Sequence, residues 1–242
     1  MNSAVRFLSF SGLMLVIPAA TAAQSLDVSR IAARTDTMEI VGVRGRDTLA
    51  AGLLIDEIGR IERNGRPVVL RVYRSRSPLL GTRVDTLIDA AESLRPVRAA
   101  SRTDRGADLV DFGGGRARGY SILANGDSVP IDVPVGADIV NASSLDLAIR
   151  ASPLAANATF GFEVFLPPTR SVVRMDARVA AVDTIDGEPA WRVDANFAGS
   201  PVSFWIGRES RRLVRQVMTV QPGFQLLFRR PRGAGAPARR AS

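Results

Sequence analysis

The residue types that most enzymes use as nucleophiles and bases are largely missing from this chain. The 242 residues include no His and no Cys, and all 32 basic side chains are Arg. Serine triads, thiolate nucleophiles and Schiff-base lysines are therefore unavailable. Hydrolysis by paired carboxylates remains, with Asp56 and Glu57, or Asp183 and Asp186, as candidates. Because acidic residues that flank turns are usually just solvated, we predict that the protein is not an enzyme.

Ligands for a metal ion or a phosphate group are equally sparse. A zinc site would need carboxylates alone, unlike the usual shell of His and Cys. Asp127, Asp132 and Asp138 lack the regular spacing of a calcium loop. The glycine run at 113–115 lacks the motifs of phosphate-binding loops and indicates a flexible turn. We therefore predict neither a metal site nor a cofactor.

The formal net charge of +8 comes mostly from the two ends of the chain. Arg6 lies in a predicted leader and five arginines lie in the last fourteen residues, so the remaining 26 basic residues face 24 acidic ones. A nucleic-acid-binding protein would instead show a basic stripe with interleaved aromatic residues. We predict no nucleic-acid partner.

Residues 1–22 have the pattern of an export signal. Arg6 precedes an apolar run at 7–17, and residues 20–22 follow the small-x-small rule, with cleavage after Ala22 or Ala23 equally compatible. The apolar run is shorter than the ~20 residues of a spanning helix. We predict an exported protein without a transmembrane segment after cleavage. The periplasm is the leading location, and secretion is the alternative.

The mature chain is predicted to be one antiparallel β domain, residues 24–228, followed by a disordered tail. Residues 229–242 are rich in Arg, Pro, Gly and Ala, a composition that does not form a packed core. The domain is long enough to bury a core without disulfides. That is consistent with the absence of Cys from a chain destined for an oxidising compartment.

The elements that would carry any site are mostly strands. The stretch from Ala190 to Val220 predicts three consecutive strands, because apolar and polar residues alternate between turns at 198–201 and 207–211. Asn64-Gly65 is a strong hairpin signal. Residues 49–61 remain open between helix, from the spacing of their apolar residues, and strand, which the hairpin favours.

One helix is predicted between Ala142 and Ala151, capped by Ser143 or Ser144 and stopped by Pro153. Ten or more strands with one short helix predict a mainly β fold. We expect a large, curved antiparallel sheet, an unclosed barrel or half-barrel, with the helix packed on it.

A seven-residue motif occurs twice. Residues 92–98, ESLRPVR, match residues 209–215, ESRRLVR, at five of seven positions. Each copy is predicted to be a polar turn followed by a returning strand. A Glu-Ser pair in an active site is the alternative interpretation.

Several segments resemble a known family. They are 84–97, 146–154 (DLAIRASPL), 191–193 (WRV) and 204–215 (FWIGRESRRLVR). Together they are similar to the DUF3108 family of uncharacterised exported bacterial proteins, and the turn device is similar to that of the LolA/LppX-like lipoprotein-carrier superfamily. The resemblance implies an unclosed barrel with a helix on its concave face, where LolA-like carriers hold acyl chains.

We therefore expect a non-enzymatic binding protein that holds a lipid, a lipoprotein acyl chain or another amphiphile in the concave face of the sheet. The candidate apolar lining consists of Phe160, Phe162, Val164, Trp191, Val193, Phe197, Phe204 and Trp205. Phe204 and Trp205 are neighbours and must point to opposite faces. For each of these residues, an ordinary core position is the competing interpretation.

The alternative is a structural or envelope-assembly protein that binds another protein while its own side chains fill the barrel. This alternative needs an apolar patch on the outside of the sheet. Trp205, Tyr73 and Phe165 are the candidates for such a patch.

Overall fold

The computed structural model describes residues 25–197 and 199–231, which form one sheet of fifteen strands and one short α-helix. The predicted leader and most of the predicted tail lie outside the described residues. The elements are β1 (Arg34–Arg44), β2 (Asp47–Arg63), β3 (Arg66–Ser77), β4 (Gly81–Ala90), β5 (Pro96–Thr103), β6 (Gly106–Gly113), β7 (Arg116–Ile122), β8 (Ser128–Pro134), β9 (Ile139–Asn141), α1 (Leu145–Ala151), β10 (Thr159–Leu166), β11 (Ser171–Ile185), β12 (Glu188–Phe197), β13 (Ser200–Gly207), β14 (Leu213–Gln221) and β15 (Phe224–Arg229).

The predicted strands are confirmed. The stretch from Ala190 to Val220 covers most of β12, all of β13 and nearly all of β14, and residues 49–61 lie within β2. Asn64 and Gly65 form the two-residue turn between β2 and β3, with φ angles of 51° and 71°. Positive φ at both central residues is the type I′ geometry that Asn-Gly favours. The hairpin therefore resolves the ambiguous segment as a strand.

The sheet runs β8-β7-β6-β5-β4-β3-β2-β1-β15-β14-β13-β12-β11-β10-β9. Its pairs are antiparallel except for β9 with β10, which are parallel. The strands β8 and β9 end the sheet, which is unclosed. β8 contains Pro130 and Pro134, as expected of an edge strand, because proline cannot donate to a ladder.

The sheet is curved so strongly that its two ends overlap, with β6–β8 lying over β9 and β10. We call this rolled arrangement the scroll. Val110, Ala117 and Ile131 on β6–β8 form a small core with Ile139 and Phe165 on β9 and β10. On β10, Val164 belongs to the main core whereas its neighbour Phe165 belongs to this second core. Because adjacent residues in a strand face opposite ways, β6–β8 cover the outer side of β9 and β10. Phe165 is thus buried between two layers and does not lie on an outer patch.

The helix α1 lies inside the scroll, and all seven of its residues are buried. It begins as predicted after residues 142–144, which form a short 3-10 turn. The predicted cap is wrong in detail, because the Ser144 hydroxyl donates to Asp89 Oδ2 at 2.6 Å and makes no capping bond. Asn141 accepts the bond from Ser143 N instead, at 2.8 Å. No helix among the described residues is long and apolar enough to cross a membrane.

The two copies of the seven-residue motif form turns of the same backbone design. In the first turn (residues 90–95) Leu94 N donates to Ala90 O at 2.9 Å, and in the second (207–212) Arg211 N donates to Gly207 O at 3.0 Å. Leu94 and Arg211 have φ angles of 57° and 52°. The repeat is therefore a turn used twice.

The last strand extends slightly past the predicted end of the domain. Arg229 is the final residue of β15, and its Nε lies 3.1 Å from Glu39 Oε2. Arg230 forms an ion pair with Glu188 at 3.1 Å. Both residues were predicted to belong to the tail.

Candidate functional site

The eight residues predicted to line a ligand site divide into three groups. Phe160, Phe162, Val164, Val193 and Phe204 are buried in the main core around α1, and Trp191 and Phe197 are partly buried against that core. Trp205 belongs to a separate cluster on the other side of the sheet. Seven of the eight therefore share the inner face, as the alternation of the strands predicts.

Trp205 is a wrong prediction for the inner face. It packs against Ile185, Ala190 and Val214, and its Nε1 donates to Asp183 Oδ2 at 2.7 Å. Since Phe204 points inward on the same strand, its neighbour must point outward. Tyr73, a candidate for an outer patch, instead packs against the main core.

Inside the scroll, a buried ionic network holds α1 against the sheet. The Arg71 guanidinium on β3 donates to Asp56 Oδ1 and Oδ2 at 2.7 and 2.8 Å, and to Asp146 Oδ1 on α1 at 2.6 Å. It also donates to the carbonyl oxygen of Ser143 at 2.7 Å. Burial alone would lower the pKa of Arg71, but Asp146 and Asp56 more than offset this and raise the pKa well above its usual value. Arg71 therefore stays charged inside the protein.

The other end of α1 carries a second buried cation. Arg150 Nη1 lies 3.4 Å from Asp146 Oδ2, and its Nε donates to the carbonyl oxygen of Arg211 at 2.8 Å. Burial lowers the pKa of Arg150 to about 10, although Asp146 acts in the opposite direction. Truncating one partner of such a buried network usually costs ~3–5 kcal/mol, since the other charge is left unpaired. The network therefore holds α1 in the space that the inner face of the sheet encloses.

The candidate catalytic pairs do not converge on one site. Asp56 points inward to Arg71, whereas Glu57 is paired on the outer face with Arg74 at 2.6 Å. Asp183 accepts the bond from Trp205, and Asp186 lies in the β11–β12 turn with a φ of 50°. Asp56 and Glu57 therefore lie on opposite faces of β2 and do not form the facing pair that carboxylate hydrolysis requires.

A cleft of about 830 Å³ lies next to the core at the seam where the sheet ends. Phe160 and Phe162 form its floor, with ring centroids 5.7 Å apart in an edge-on arrangement. Ile139 and Val140 continue the floor on β9. We call this space the seam cleft. Its volume falls within the ~300–1,000 Å³ of typical ligand sites.

Charged side chains of both signs surround the seam cleft. Glu92 and Arg95 come from the first turn, Asp138 from the segment before β9, and Glu163 and Arg174 from β10 and β11. Gly161 leaves room for Arg174, whose guanidinium occupies the space that a Cβ at residue 161 would take. The cleft therefore offers an apolar floor under a rim that can both donate and accept hydrogen bonds.

The backbone of β10 is only partly covered along the seam cleft. On one side β10 pairs with β11 over its whole length. On the other side β9 pairs only with residues 163–165, which leaves residues 159–162 without a ladder partner among the described residues. A free strand edge is a template for an added extended chain.

Sequence reasoning identified the floor of the seam cleft but not its rim. Phe160 and Phe162 stood out through their alternation. Glu92 and Arg95 belong to the repeated motif, for which the sequence predicted a polar turn, with a Glu-Ser pair in an active site as the alternative. The rim residues of the first turn approach those of β10 and β11 only because the sheet is strongly curved. The periodicity of the strands does not encode that curvature.

Comparisons with known proteins place the chain as follows. No curated protein matches it. It is similar in structure to a beta-barrel-like protein of domain of unknown function DUF1849 from Brucella abortus, with a TM-score of 0.47 and 11% sequence identity over 82% of this chain and 97% of that one. The resemblance to LolA/LppX-like carriers is not confirmed by either finding. Residues 41–228 match the sequence profile of DUF3108, a protein family of unknown function, and the chain therefore belongs to the DUF3108 family.

Proposed function

We propose that the protein is a non-enzymatic binding protein that takes an amphiphile into the seam cleft. The observation that carries the proposal is the pair of Phe160 and Phe162 at the floor of a cleft of about 830 Å³ with a charged rim. An acyl chain or another apolar group would lie on the two rings. A headgroup would meet Arg95 and the cross-strand neighbours Glu163 and Arg174.

The seam cleft supports this function better than the concave face of the sheet does. The helix α1 is fully buried there and is held by the network of Asp56, Arg71 and Asp146. A lipid in the concave face would have to displace buried charges, which is costly. Ligand at the seam leaves the helix in place.

We further propose that the protein acts after export, in the periplasm, as a single domain that begins near residue 24. A leader of this pattern directs a chain out of the cytoplasm. Lipids and acylated proteins of the envelope are the ligands that a cleft with an apolar floor would meet there.

The test is uptake of a fluorescent fatty acid, together with native mass spectrometry of protein purified without detergent. Ala137 lines the cleft and is exposed, so an Ala137→Trp variant should fold while its indole fills the space. Ala180 on β11 is also exposed and lies outside the cleft. The matched control is therefore Ala180→Trp.

We expect stoichiometric uptake by the parent protein and by Ala180→Trp, and at least about tenfold weaker binding by Ala137→Trp, because a buried apolar group contributes ~1.5–3 kcal/mol. Equal binding by both variants would place the ligand elsewhere. A protein that takes up no amphiphile at all would contradict the proposal.

The free edge of β10 favours a second candidate function, binding of another protein. An extended peptide could add to residues 159–162 as a further strand and place an apolar side chain on Phe160. This corresponds to an envelope-assembly role. Protection of the amides of residues 159–162 from hydrogen exchange by a peptide, with no effect of fatty acid, would distinguish it from the first.

A further inference from the structure

The outer face of strands β2–β7 carries an apolar surface that the two proposals above do not use. The ladder register aligns one row across five strands, Val72, Thr86, Ala100, Leu109 and Tyr120. Four of its members are half-buried and Tyr120 is exposed, none of the five carries a charge, and on β2 the row ends at Glu57. We call this row and its apolar neighbours the outer patch.

The neighbours widen the row on both sides. Leu70 and Ile88 are cross-strand partners in the next row along β3 and β4. Five large apolar side chains on this face or at its ends are each 39% to 53% exposed. They are Leu53, Ile55, Ile61, Tyr120 and Ile122. These side chains lie on β2 and β7, at either side of the face, and exposed apolar surface shared by several strands marks a site of interaction.

Arginines frame the outer patch. The row beside it places two arginines between apolar residues, in the order Ile55, Arg74, Val84, Arg102, Ala107 and Ile122. Arg74 pairs with Glu57, and Arg98 with Asp111. Arg76 and Arg102, both exposed, have no carboxylate partner in the described part of the chain.

The outer faces of the two halves of the sheet differ sharply. On β11 and β12 the outward side chains that reach solvent carry both signs of charge and include Arg174, Asp176, Arg178 and Asp194. The apolar Ile185 and Ala190 on this face are buried with Trp205. The outer patch is apolar with an excess of positive charge. Apolar side chains next to unpaired arginines complement a surface that is apolar inside and negative outside, which describes a bilayer containing anionic lipid.

We propose that the outer patch docks the protein on the surface of a bilayer that contains anionic lipid. Leu109 and Tyr120 would enter the boundary between headgroups and acyl chains, while Arg76 and Arg102 would contact the phosphates. The seam cleft would then remain free to exchange an amphiphile with the bilayer. Docking does not depend on the cleft, so the failure of one proposal leaves the other intact.

The chain contains no Cys, so a single introduced thiol can report where a membrane touches it. Leu109→Cys and, as control, Ala180→Cys are labelled with the environment-sensitive dye NBD. They are mixed with vesicles of phosphatidylcholine, either alone or with phosphatidylglycerol. We expect a blue shift of the dye at residue 109 only, and only with anionic vesicles. No shift at residue 109 with either vesicle overturns the proposal.

Charge reversal gives a second readout in unlabelled full-length protein, whose ends are the same in every variant. Arg102→Glu should weaken sedimentation with anionic vesicles about tenfold, since each basic residue near an anionic surface contributes substantially to binding. Arg178→Glu, on the outer face of β11, should change it less than about twofold. Equal effects of both reversals overturn the proposal. A dimer by analytical ultracentrifugation that Leu109→Asp dissociates also overturns it, because the patch would then be occupied by a second copy.

Discussion

The first turn and the second turn follow the same backbone path, yet they hold α1 by different chemistry. The residue before the first turn, Asp89, accepts a bond from Ser144 at the start of the helix, and Leu94 within the turn is fully buried in the main core. In the second turn the Arg211 side chain reaches the carbonyl oxygen of Ser152 at 3.2 Å, at the end of the helix. One turn holds the helix through a buried side chain, and the other through a partly exposed one.

The difference shows that a repeated backbone design does not imply a repeated contribution to stability. Leu94 and Arg211 both adopt a left-handed φ, which disfavours residues other than Gly. At Leu94 the burial of the side chain offsets this strain. At Arg211 hydrogen bonds do so, from its guanidinium to the carbonyl oxygens of Arg150 and Ser152 and from the Arg150 side chain to the Arg211 carbonyl oxygen. Substitutions at equivalent positions should therefore have unequal effects.

The largest effect is expected for Leu94→Ala. The change removes most of a fully buried side chain and keeps the strained φ, so unfolding should become easier by about 3–4 kcal/mol. Urea denaturation followed by circular dichroism measures it. A loss below about 1 kcal/mol would mean that the first turn relaxes into the space, and the comparison between the turns would fail.

A smaller effect, dependent on pH, is expected at Asp89. Burial raises its pKa to about 7, against the opposing effects of the Ser144 hydroxyl and Arg71. In the unfolded chain this carboxyl has its ordinary pKa of 3.8, so between that pH and about 7 the folded state binds more protons. Its contribution to stability is therefore largest at low pH and is lost as the pH rises to about 7.

Asp89→Asn should remove this dependence while keeping an oxygen acceptor for Ser144. The difference in unfolding free energy between pH 5 and pH 7 should change by about 2–3 kcal/mol relative to the parent protein. Thermal unfolding at pH 5, 7 and 8 measures it. In the second turn the position equivalent to Asp89 is the apolar Ile206. This residue does not titrate, so the second turn should contribute no such dependence of stability on pH. Parallel curves for the parent and the variant would contradict the assignment.

The smallest effect is expected for Arg211→Gly. Glycine relieves the positive φ, which stabilises by roughly 1 kcal/mol, and loses the bonds from the guanidinium to the carbonyl oxygens of Ser152 and Arg150, which costs about the same. Urea denaturation should show a change within about 1 kcal/mol. A loss as large as that of Leu94→Ala would show that the two turns contribute equally.

The sequence predicted the elements well because the signals for strands and turns are local. Alternation identified β12, β13 and β14, and Asn64-Gly65 resolved β2 as a strand. The helix also followed from local spacing and from Pro153. Each of these predictions depends on only a few neighbouring residues. The mainly β fold class could therefore be derived from the sequence.

The candidate site was only partly predictable, because it depends on contacts between distant residues. Nothing near Arg71 indicates that Asp56 and Asp146 will surround it. Ser144 is a residue type that commonly caps helices, but its hydroxyl donates to Asp89 on β4 instead. The outer position of Phe165 makes sense only once β6–β8 cover it. Such outcomes are set by the roll of the sheet.

The order of strands also has a consequence for folding. Every ladder in the sheet joins consecutive strands except that of β1 with β15, where Ile40 faces Phe228. Starting from β10, the sheet is a meander, β10 to β15 followed by β1 to β8, in which the first and last strands pair at the centre, and β9 adds to β10 in parallel after a connection through α1. Each half can therefore form from local hairpins, whereas the centre of the sheet must wait for the last strand to be made. The seam marks the point where a meander would begin, and the junction of β1 and β15 is the step that completes the fold.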